Sequence, residues 1–209
     1  GIVELMCKDI DVVWIDCQHG QHDQRTALDA VRVADLLGIL STVRVPTHDP
    51  LLLGTYADLA PSSLMVPMVE TRAQAEVVAR ALAFPPAGNR SYGGRRMIDR
   101  YGPQAYRTHV PRVMAQIETL ASVEEAEAII AVEGIDMLFF GPDDMKLRMG
   151  IPVDTSPLDH PELLEAMART ARIARAAGKF AGTTAASGKA ARVVRDMGYQ
   201  LLMCGADVV

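Results

Sequence analysis

The sequence predicts a parallel α/β fold, and most simply a (β/α)8 (TIM) barrel. Short apolar runs alternate along the chain with longer segments whose apolar residues recur at helical spacing. Acidic residues follow two of these runs: Glu118 comes directly after 113–117, and Asp143-Asp144 comes shortly after 137–140. Because catalytic residues of such barrels lie at the carboxyl ends of the strands, the sequence predicts a functional site there.

The strands are predicted from apolar runs that are bounded by polar or turn-forming residues. In chain order they are Val12–Asp16, Thr42–Val45, Leu64–Met68, Val113–Ile117, Met137–Phe140, Phe180–Thr183 and Leu201–Cys204. Their length and apolar content are typical of strands buried on both faces of a parallel sheet.

Amphipathic helices are predicted between these strands. Asp23 is a suitable N-cap for the first of them, and a glycine that can adopt the left-handed conformation follows several helical patterns. The predicted helices are Asp23–Leu37, Arg72–Leu82, Ala121–Ala131, Pro161–Ala177 and Lys189–Met197.

The length of 209 residues favours a single domain spanning 1–209. The chain begins in a helical pattern, Ile2–Met6, and stops just after a strand. For a barrel of eight strands, we therefore expect a first strand upstream of this chain and a last helix downstream of it. The alternative is an open, doubly wound sheet, which can be formed by seven strands.

The composition of the chain argues against several classes of protein. A net charge of −5 without a polybasic run argues against a nucleic acid partner. The sequence contains no run of 18 apolar residues, so no membrane span is predicted, and its start does not have the pattern of a signal peptide. The 3 cysteines are an odd number without metal-ligand spacing, which favours reduced thiols and a cytoplasmic protein.

One connection, Phe84–Pro111, is unusually long and rich in glycine and proline. It is predicted to be either a solvated loop or a lid that presents positive charge and hydroxyl groups to an anionic substrate. Its arginines are Arg90, Arg95, Arg96, Arg100 and Arg107, and its tyrosines are Tyr92, Tyr101 and Tyr106.

The strand ends carry residues suited to enolate chemistry. Glu118 and Asp144 could hold Mg²⁺ or Mn²⁺ through oxygen ligands, with Asp143 as the competing ligand. His19 could act as an acid or base, oriented by Asp16. The buried arginine of the second strand needs an anionic partner, either a bound enolate oxygen or Glu118.

At these residues the chain resembles the metal-dependent class II pyruvate aldolases, the 4-hydroxy-2-oxoheptanedioate (hydroxyketoacid) aldolase family of HpcH/HpaI type. The resemblance covers nearly the whole chain. It lies in 14–19 (WIDCQH), 43–46 (VRVP), 66–70 (VPMVE), 84–90 (FPPAGNR), 116–118 (QIE), 132–136 (VEGID), 141–145 (GPDDM) and 176–179 (AAGK).

The resemblance implies a barrel of the phosphoenolpyruvate/pyruvate type in a homo-oligomer, a trimer or a hexamer. Glu118 and Asp144 would hold Mg²⁺ or Mn²⁺, with Co²⁺ as a third candidate. His19 with Asp16 would be the acid/base pair, and Arg44 would bind the keto oxygen. The implied substrate-binding residues are Gln116, Gly141, Pro142, Asp143 and Thr184, and Asp58 would lie at a subunit interface near the site.

The implied reaction is the cleavage or formation of a 4-hydroxy-2-oxo acid, with pyruvate and an aldehyde as partners. Oxaloacetate decarboxylation, or a carbon–carbon lyase reaction like that of the citrate lyase β-subunit, is the alternative. A barrel that binds a keto acid without catalysis is another. The family usually has glutamate before the catalytic histidine, and here the residue is Gln18.

Overall fold

The structure is a computed structural model that describes residues 3–4 and 9–205. Its backbone contacts divide the chain into two compact units. Unit 1 comprises 1–67 and 76–113, and unit 2 comprises 68–75 and 114–209. The predicted helix Ile2–Met6 lies outside the described residues except for residues 3 and 4.

Unit 1 is built on parallel strands connected by helices. The strands β1 (Val12–Asp16), β2 (Leu40–Arg44) and β3 (Ser63–Val66) pair in parallel in that order. The intervening helices are α1 (Gln24–Leu37) and α2 (Pro50–Ala57). They are followed in the chain by α3 (Arg72–Leu82), which begins in unit 2, and by α4 (Arg95–Tyr101) and α5 (Ala105–Thr108).

The register of unit 1 places charged side chains at its strand ends. Asp16, the last residue of β1, is the backbone partner of Arg44, the last residue of β2. The strand interiors are buried: Val43, Leu64 and Val66 are fully buried, and the hydroxyls of buried Thr42 and Ser63 bond each other at 2.8 Å. Burial of these runs fixes which residues come last in each strand and therefore reach the strand ends.

Unit 2 repeats the alternation. Its strands are β4 (Arg112–Ile117), β5 (Met137–Phe140), β6 (Phe180–Thr184) and β7 (Leu201–Met203), of which β4 begins in unit 1. Strand β5 pairs in parallel with β4 and β6, and β6 pairs in parallel with β7. Its helices are α6 (Leu120–Glu124), α7 (Ala126–Ile130), α8 (Pro142–Arg148), α9 (Pro161–Ala176) and α10 (Gly188–Asp196), with a 3-10 turn at Pro157–Asp159.

The structure confirms the predicted parallel α/β class, with seven strands in the part of the chain that it describes. The predicted bounds of β1, β5 and α3 are those observed, and Asp23 caps α1 by accepting the Thr26 N–H at 2.8 Å. No helix among the described residues combines the length and apolar character needed to span a membrane. The single-domain organisation stays a prediction.

Several predictions of secondary structure are wrong. The predicted strand Leu64–Met68 ends at Val66, and the helices α2 and α8 were not predicted. The predicted helix Ala121–Ala131 is two helices, α6 and α7, that meet at Glu125. The connection Phe84–Pro111 is not a structureless loop, because α4 and α5 form within it. Met97 of α4 is fully buried in a small apolar cluster with Phe84 and Ala105 of this segment and with Ala60, which precedes β3.

Candidate functional site

Glu118 lies directly after β4 and is 2% exposed. Its Oε2 accepts the backbone N–H of Met68 at 3.0 Å. Met68 is in the left-handed region with φ 57°, which a residue with a side chain adopts at a cost in energy. The contact shows that the backbone at Met68 is folded to aim a hydrogen-bond donor at this carboxylate.

Gly141 brings the start of α8 against Glu118. Its backbone N–H donates to the Ile117 carbonyl at 2.9 Å. A Cβ at position 141 would lie 2.8 Å from Glu118 Cγ and 3.0 Å from Glu118 Oε1. Only glycine fits here without displacing the carboxylate, so Glu118 packs directly on the backbone that opens α8.

The two acids of α8 are in different environments. Asp143 is mostly exposed, and its Oδ1 forms an ion pair with Lys146 Nζ at 2.9 Å. Asp144 is half-buried and belongs to the same first turn. Of the two competing ligands, Asp143 therefore has a recorded cationic partner, and this favours Asp144 as the residue that acts with Glu118.

The predicted substrate-binding residues of unit 2 follow the same strands. Gln116 lies in β4 and is buried, and its Oε1 has no hydrogen-bond partner among the described residues. Its Nε2 would lie 3.2 Å from a Cβ at Gly141. Pro142 is the first residue of α8, and Thr184 is the last residue of β6. A buried amide oxygen without a donor is expensive, which indicates a place for a ligand beside Glu118.

A divalent cation fits this donor set. The described residues contain no group of three or more His, Cys, Asp or Glu side chains that could hold a metal ion. The prediction, however, is of two carboxylates that leave positions open for water or substrate, an arrangement common for Mg²⁺. The acidic oxygens at Glu118 and Asp144 are of the hard type that Mg²⁺ and Mn²⁺ prefer.

In unit 1, Arg44 and Asp16 form a two-pronged ion pair. Arg44 Nε donates to Asp16 Oδ1 at 2.8 Å, and Nη2 donates to Oδ2 at 2.6 Å. The guanidinium also lies 4.8 Å from the centre of the Trp14 ring. Burial raises the pKa of Asp16, but the hydrogen bond and the charge of Arg44 outweigh it, and the pKa stays below its usual value.

This ion pair is the main contact that sequence reasoning missed. The predicted partners of Arg44 were an enolate oxygen or Glu118, whereas the structure pairs it with Asp16. The predicted second strand, Thr42–Val45, placed Arg44 inside the strand, whereas the observed β2 ends at Arg44, beside Asp16. The register of the strands could not be read from the sequence.

His19 follows β1 in an exposed loop. Asp16 Oδ1 accepts the backbone N–H of Gln18 at 3.0 Å and that of His19 at 3.4 Å. The turn is tight, because a Cβ at Gly20 would lie 2.3 Å from the Asp16 carbonyl oxygen. The Asp16 carboxylate thus holds the loop by binding its backbone N–H groups. Orientation of the His19 ring by Asp16 stays a prediction.

Asp58 is engaged inside its own unit. Its Oδ1 accepts from Arg90 Nη2 at 2.7 Å, and the Arg90 side chain is 1% exposed. The Arg90 guanidinium lies 4.7 Å from the centre of the Phe84 ring. Arg96 and Arg100 both pair with Asp35. Arg90 is therefore buried in its own unit and does not present its charge to a substrate, whereas for Arg96 and Arg100 that role stays a prediction.

The chain is similar to known proteins over nearly its whole length. Residues 2–209 match the family described as HpcH/HpaI aldolase/citrate lyase. The chain is 35% identical over 206 residues to a hydroxypyruvate/pyruvate aldolase of Rhizorhabdus wittichii, with 96% of this chain and 80% of the relative covered. It is 36% identical to a 4-hydroxy-2-oxovalerate aldolase of Novosphingobium aromaticivorans, with 94% of this chain and 76% of the relative covered.

Solved structures of the family have the same fold. A crystal structure of an HpcH/HpaI aldolase/citrate lyase family protein from Burkholderia cenocepacia superposes with a TM-score of 0.88 at 30% identity, over 99% of this chain and 83% of that one. The matches confirm the predicted resemblance and the predicted enzyme class, a carbon–carbon lyase of the aldolase kind. The chain belongs to the HpcH/HpaI aldolase/citrate lyase family.

Proposed function

We propose that this chain is a divalent-metal-dependent aldolase that cleaves a 4-hydroxy-2-oxo acid to pyruvate and an aldehyde, or joins them. The observation that carries the proposal is Glu118, a carboxylate 2% exposed that packs on Gly141 at the start of α8. Acidic side chains are rarely buried to this degree without a cation or strong hydrogen bonds. The aldolase names of the relatives support the same reaction.

Glu118 and Asp144 are the proposed ligands of Mg²⁺ or Mn²⁺, with Co²⁺ as a third candidate. When bound, such an ion polarises the keto group and stabilises negative charge on its oxygen. Glu118 is supported in this role by the Met68 N–H, which restricts the orientation of the carboxylate. Ligand orientation by such outer contacts commonly tunes metal affinity.

The start of α8 is the proposed site for the pyruvate carboxylate. The first backbone N–H groups of a helix have no acceptor within the helix, and here they belong to Asp143 and Asp144. Gln116 and Thr184 are proposed to contact the same end of the substrate. The unpartnered Oε1 of Gln116 supports its inclusion.

Arg44 is proposed to stabilise the negative charge that develops on the keto oxygen. Asp16 occupies Nε and one N–H of Nη2, so the remaining N–H groups of the guanidinium are available to a substrate. His19 is proposed to take the proton of the C4 hydroxyl as the C3–C4 bond breaks, after which a proton returned to C3 completes pyruvate.

Two lysines have other roles, which supports a metal over a Schiff base. Lys146 Nζ donates to the Val153 and Thr155 carbonyls at 2.6 and 3.2 Å. Lys179 Nζ donates to the carbonyls of Ile130 and Val132 at 2.7 and 3.1 Å. A Schiff-base lysine needs a free amine that faces the substrate.

The finer predictions about architecture form part of the same proposal. Similarity to family structures over nearly the whole chain supports a (β/α)8 barrel of the phosphoenolpyruvate/pyruvate type. A trimeric or hexameric homo-oligomer with Asp58 near an interface is implied by the family resemblance. The odd number of cysteines supports the cytoplasm as the location.

The test is a pyruvate-release assay over a panel of 4-hydroxy-2-oxo acids, with Mn²⁺, with Mg²⁺ and after treatment with a chelator. We expect release that depends on the added ion. Full activity after chelation would contradict the metal-dependent mechanism. Release of pyruvate from oxaloacetate alone would favour decarboxylation instead.

A further inference from the structure

Lys146 of α8 is buried in unit 2, which is unusual for a residue with an ammonium group. It is 3% exposed. Its Nζ lies 2.9 Å from Asp143 Oδ1 and donates to the carbonyl oxygens of Val153 and Thr155 at 2.6 and 3.2 Å. An ammonium group has three N–H donors, so these acceptors can use all of them. Lysine is rarely buried unless it is paired, and the three contacts account for its burial.

The two carbonyl groups belong to a turn that is folded around the ammonium group. The N–H and the hydroxyl of Thr155 both donate to the Pro152 carbonyl, at 3.2 and 2.6 Å. The Ile151 N–H donates to the Lys146 carbonyl at 2.9 Å, which ties the start of this turn to α8. The position of the ammonium group is therefore fixed by backbone, and its movement away from Asp143 would break its bonds to both carbonyls.

Asp143 adds a third carboxylate to the candidate site. It directly precedes Asp144 in the first turn of α8, and Glu118 packs against Gly141 just before that turn. A divalent cation cancels the charge of two carboxylates, those of Glu118 and Asp144. Without Lys146, the third carboxylate would leave a net negative charge close to an anionic oxo acid, and like charges repel.

We propose that Lys146 is a positioning residue that holds the Asp143 carboxylate away from the metal ion and cancels its charge. The inference rests on the proposed aldolase function and adds the charge balance of the site to it. With a divalent ion bound, the three carboxylates and the ammonium group carry no net charge. The anionic oxo acid then meets no excess negative charge, and Asp143 does not compete with Asp144 for the ion.

Two variants change this balance in opposite directions. Lys146→Met leaves the carboxylate of Asp143 uncompensated, and Asp143→Asn leaves the ammonium group uncompensated. The binding of Mn²⁺ alone, and of pyruvate at saturating Mn²⁺, is measured by titration calorimetry. We expect Lys146→Met to bind Mn²⁺ more tightly and pyruvate more weakly, and Asp143→Asn to do the reverse. Each dissociation constant should change by about threefold, the range for one partly exposed ion pair.

The opposite signs separate an altered charge from damage to the structure. A distorted site binds both ligands more weakly, whereas an altered charge strengthens the binding of one and weakens that of the other. The double variant Asp143→Asn/Lys146→Met removes one charge of each sign, so both constants should return close to the wild-type values. Glu165→Gln is the control, since Glu165 is an exposed acid of α9 that pairs with Arg172, and both constants should stay unchanged in it.

Asp143→Asn keeps the test valid if Lys146→Met does not fold, because Lys146 retains both carbonyl acceptors in it. Unchanged constants in Asp143→Asn, or weaker binding of both ligands, would overturn this inference alone. Complete loss of Mn²⁺ binding in that variant would also overturn it, because Asp143 would then be a metal ligand itself. Failure of the wild-type protein to bind Mn²⁺ would contradict the proposed function.

Discussion

The two strand ends that carry the candidate chemistry are built in different ways. At the end of β4, Glu118 is held by contacts with the backbone. Its carboxylate accepts the Met68 N–H, and it lies so close to Gly141 that a Cβ there would clash with it. At the ends of β1 and β2, Asp16 and Arg44 are held by each other's charge. The first arrangement depends on shape and does not tolerate added atoms, whereas the second depends on ionisation.

The largest expected effect is at the β4 end. Glu118→Gln keeps the shape and an acceptor for the Met68 N–H but removes the negative charge that a cation needs. We expect pyruvate release to fall by about 100-fold or more, with little change in the thermal midpoint. Steady-state kinetics and differential scanning calorimetry measure the two quantities.

Glu124→Gln is the matched control for this variant. Glu124 is an exposed glutamate of α6 that pairs with Arg169, and an ion pair this exposed to solvent contributes little to stability. We expect activity to be unchanged in it. Equal activity of Glu118→Gln and Glu124→Gln would show that the charge of Glu118 has no part in the reaction.

Gly141→Ala tests shape without changing charge. The added Cβ would lie 2.8 Å from Glu118 Cγ, so the carboxylate or the start of α8 must move. We expect a loss of about 1–3 kcal/mol in the free energy of unfolding and a lower activity. Urea denaturation monitored by circular dichroism gives the stability.

Gly54→Ala makes the same chemical change where there is room. Gly54 lies in α2, and a Cβ there meets no atom within 4 Å. Because alanine favours helix, we expect this control to be more stable by about 0.5–1 kcal/mol. Similar effects of the two substitutions would remove the argument for a tight fit at Gly141.

Asp16→Asn tests the ion pair. It leaves Arg44 buried without a full countercharge, and we expect a loss of about 1–3 kcal/mol at neutral pH. The folded-state pKa of Asp16 is lowered, so its contribution is complete above the ordinary carboxyl pKa and is lost as pH falls through the depressed value. The difference between wild type and variant should therefore shrink in acid.

Urea denaturation at neutral pH and at successively lower pH values measures this difference. Gly141→Ala provides the contrast, because it changes no titratable group and its effect should persist in acid. A stability difference for Asp16→Asn that stays constant over the whole acid range would mean that the ion pair does not stabilise unit 1.

The smallest expected effect concerns Cys17, beside Asp16. Burial raises the pKa of its thiol to about 11, although a hydrogen bond with Tyr56 lowers it somewhat. We expect iodoacetamide at pH near 8 to modify exposed Cys204 at least about tenfold faster than Cys17 in the native protein, since the thiolate is the reactive form. Peptide mass spectrometry distinguishes the sites, and in urea the two rates should converge.

Sequence patterns predicted the bounds of strands and helices correctly where the local apolar periodicity was strong. The bounds of β1, β5 and α3 follow from apolar periodicity, and Glu118 lies directly after β4, as its position in the sequence predicts; the roles of Glu118 and Asp144 stay predictions. Helices α4 and α5 were missed because their glycine-rich sequence has little periodicity. Each buries a residue in one apolar cluster, Met97 from α4 and Ala105 from α5, together with Phe84 and with Ala60 from outside the segment, and such packing stabilises short helices.

The missing parts of the site are likewise long-range. Nothing in the local sequence indicates that Met68 has a positive φ or that its N–H meets a carboxylate 50 residues away. The pairing of Arg44 with Asp16 depends on strand register, and burial of Arg90 depends on Asp58 and Phe84. Each of these contacts is determined by packing rather than by local preference.

The bare Cα at position 141 has a consequence for redesign. In a library of variants that seeks new acceptor aldehydes, most substitutions at position 141 would give inactive proteins, because any side chain at this position displaces Glu118. Substitutions at the exposed end of the same helix, at Leu147 and Arg148, leave the contact between Gly141 and Glu118 unchanged.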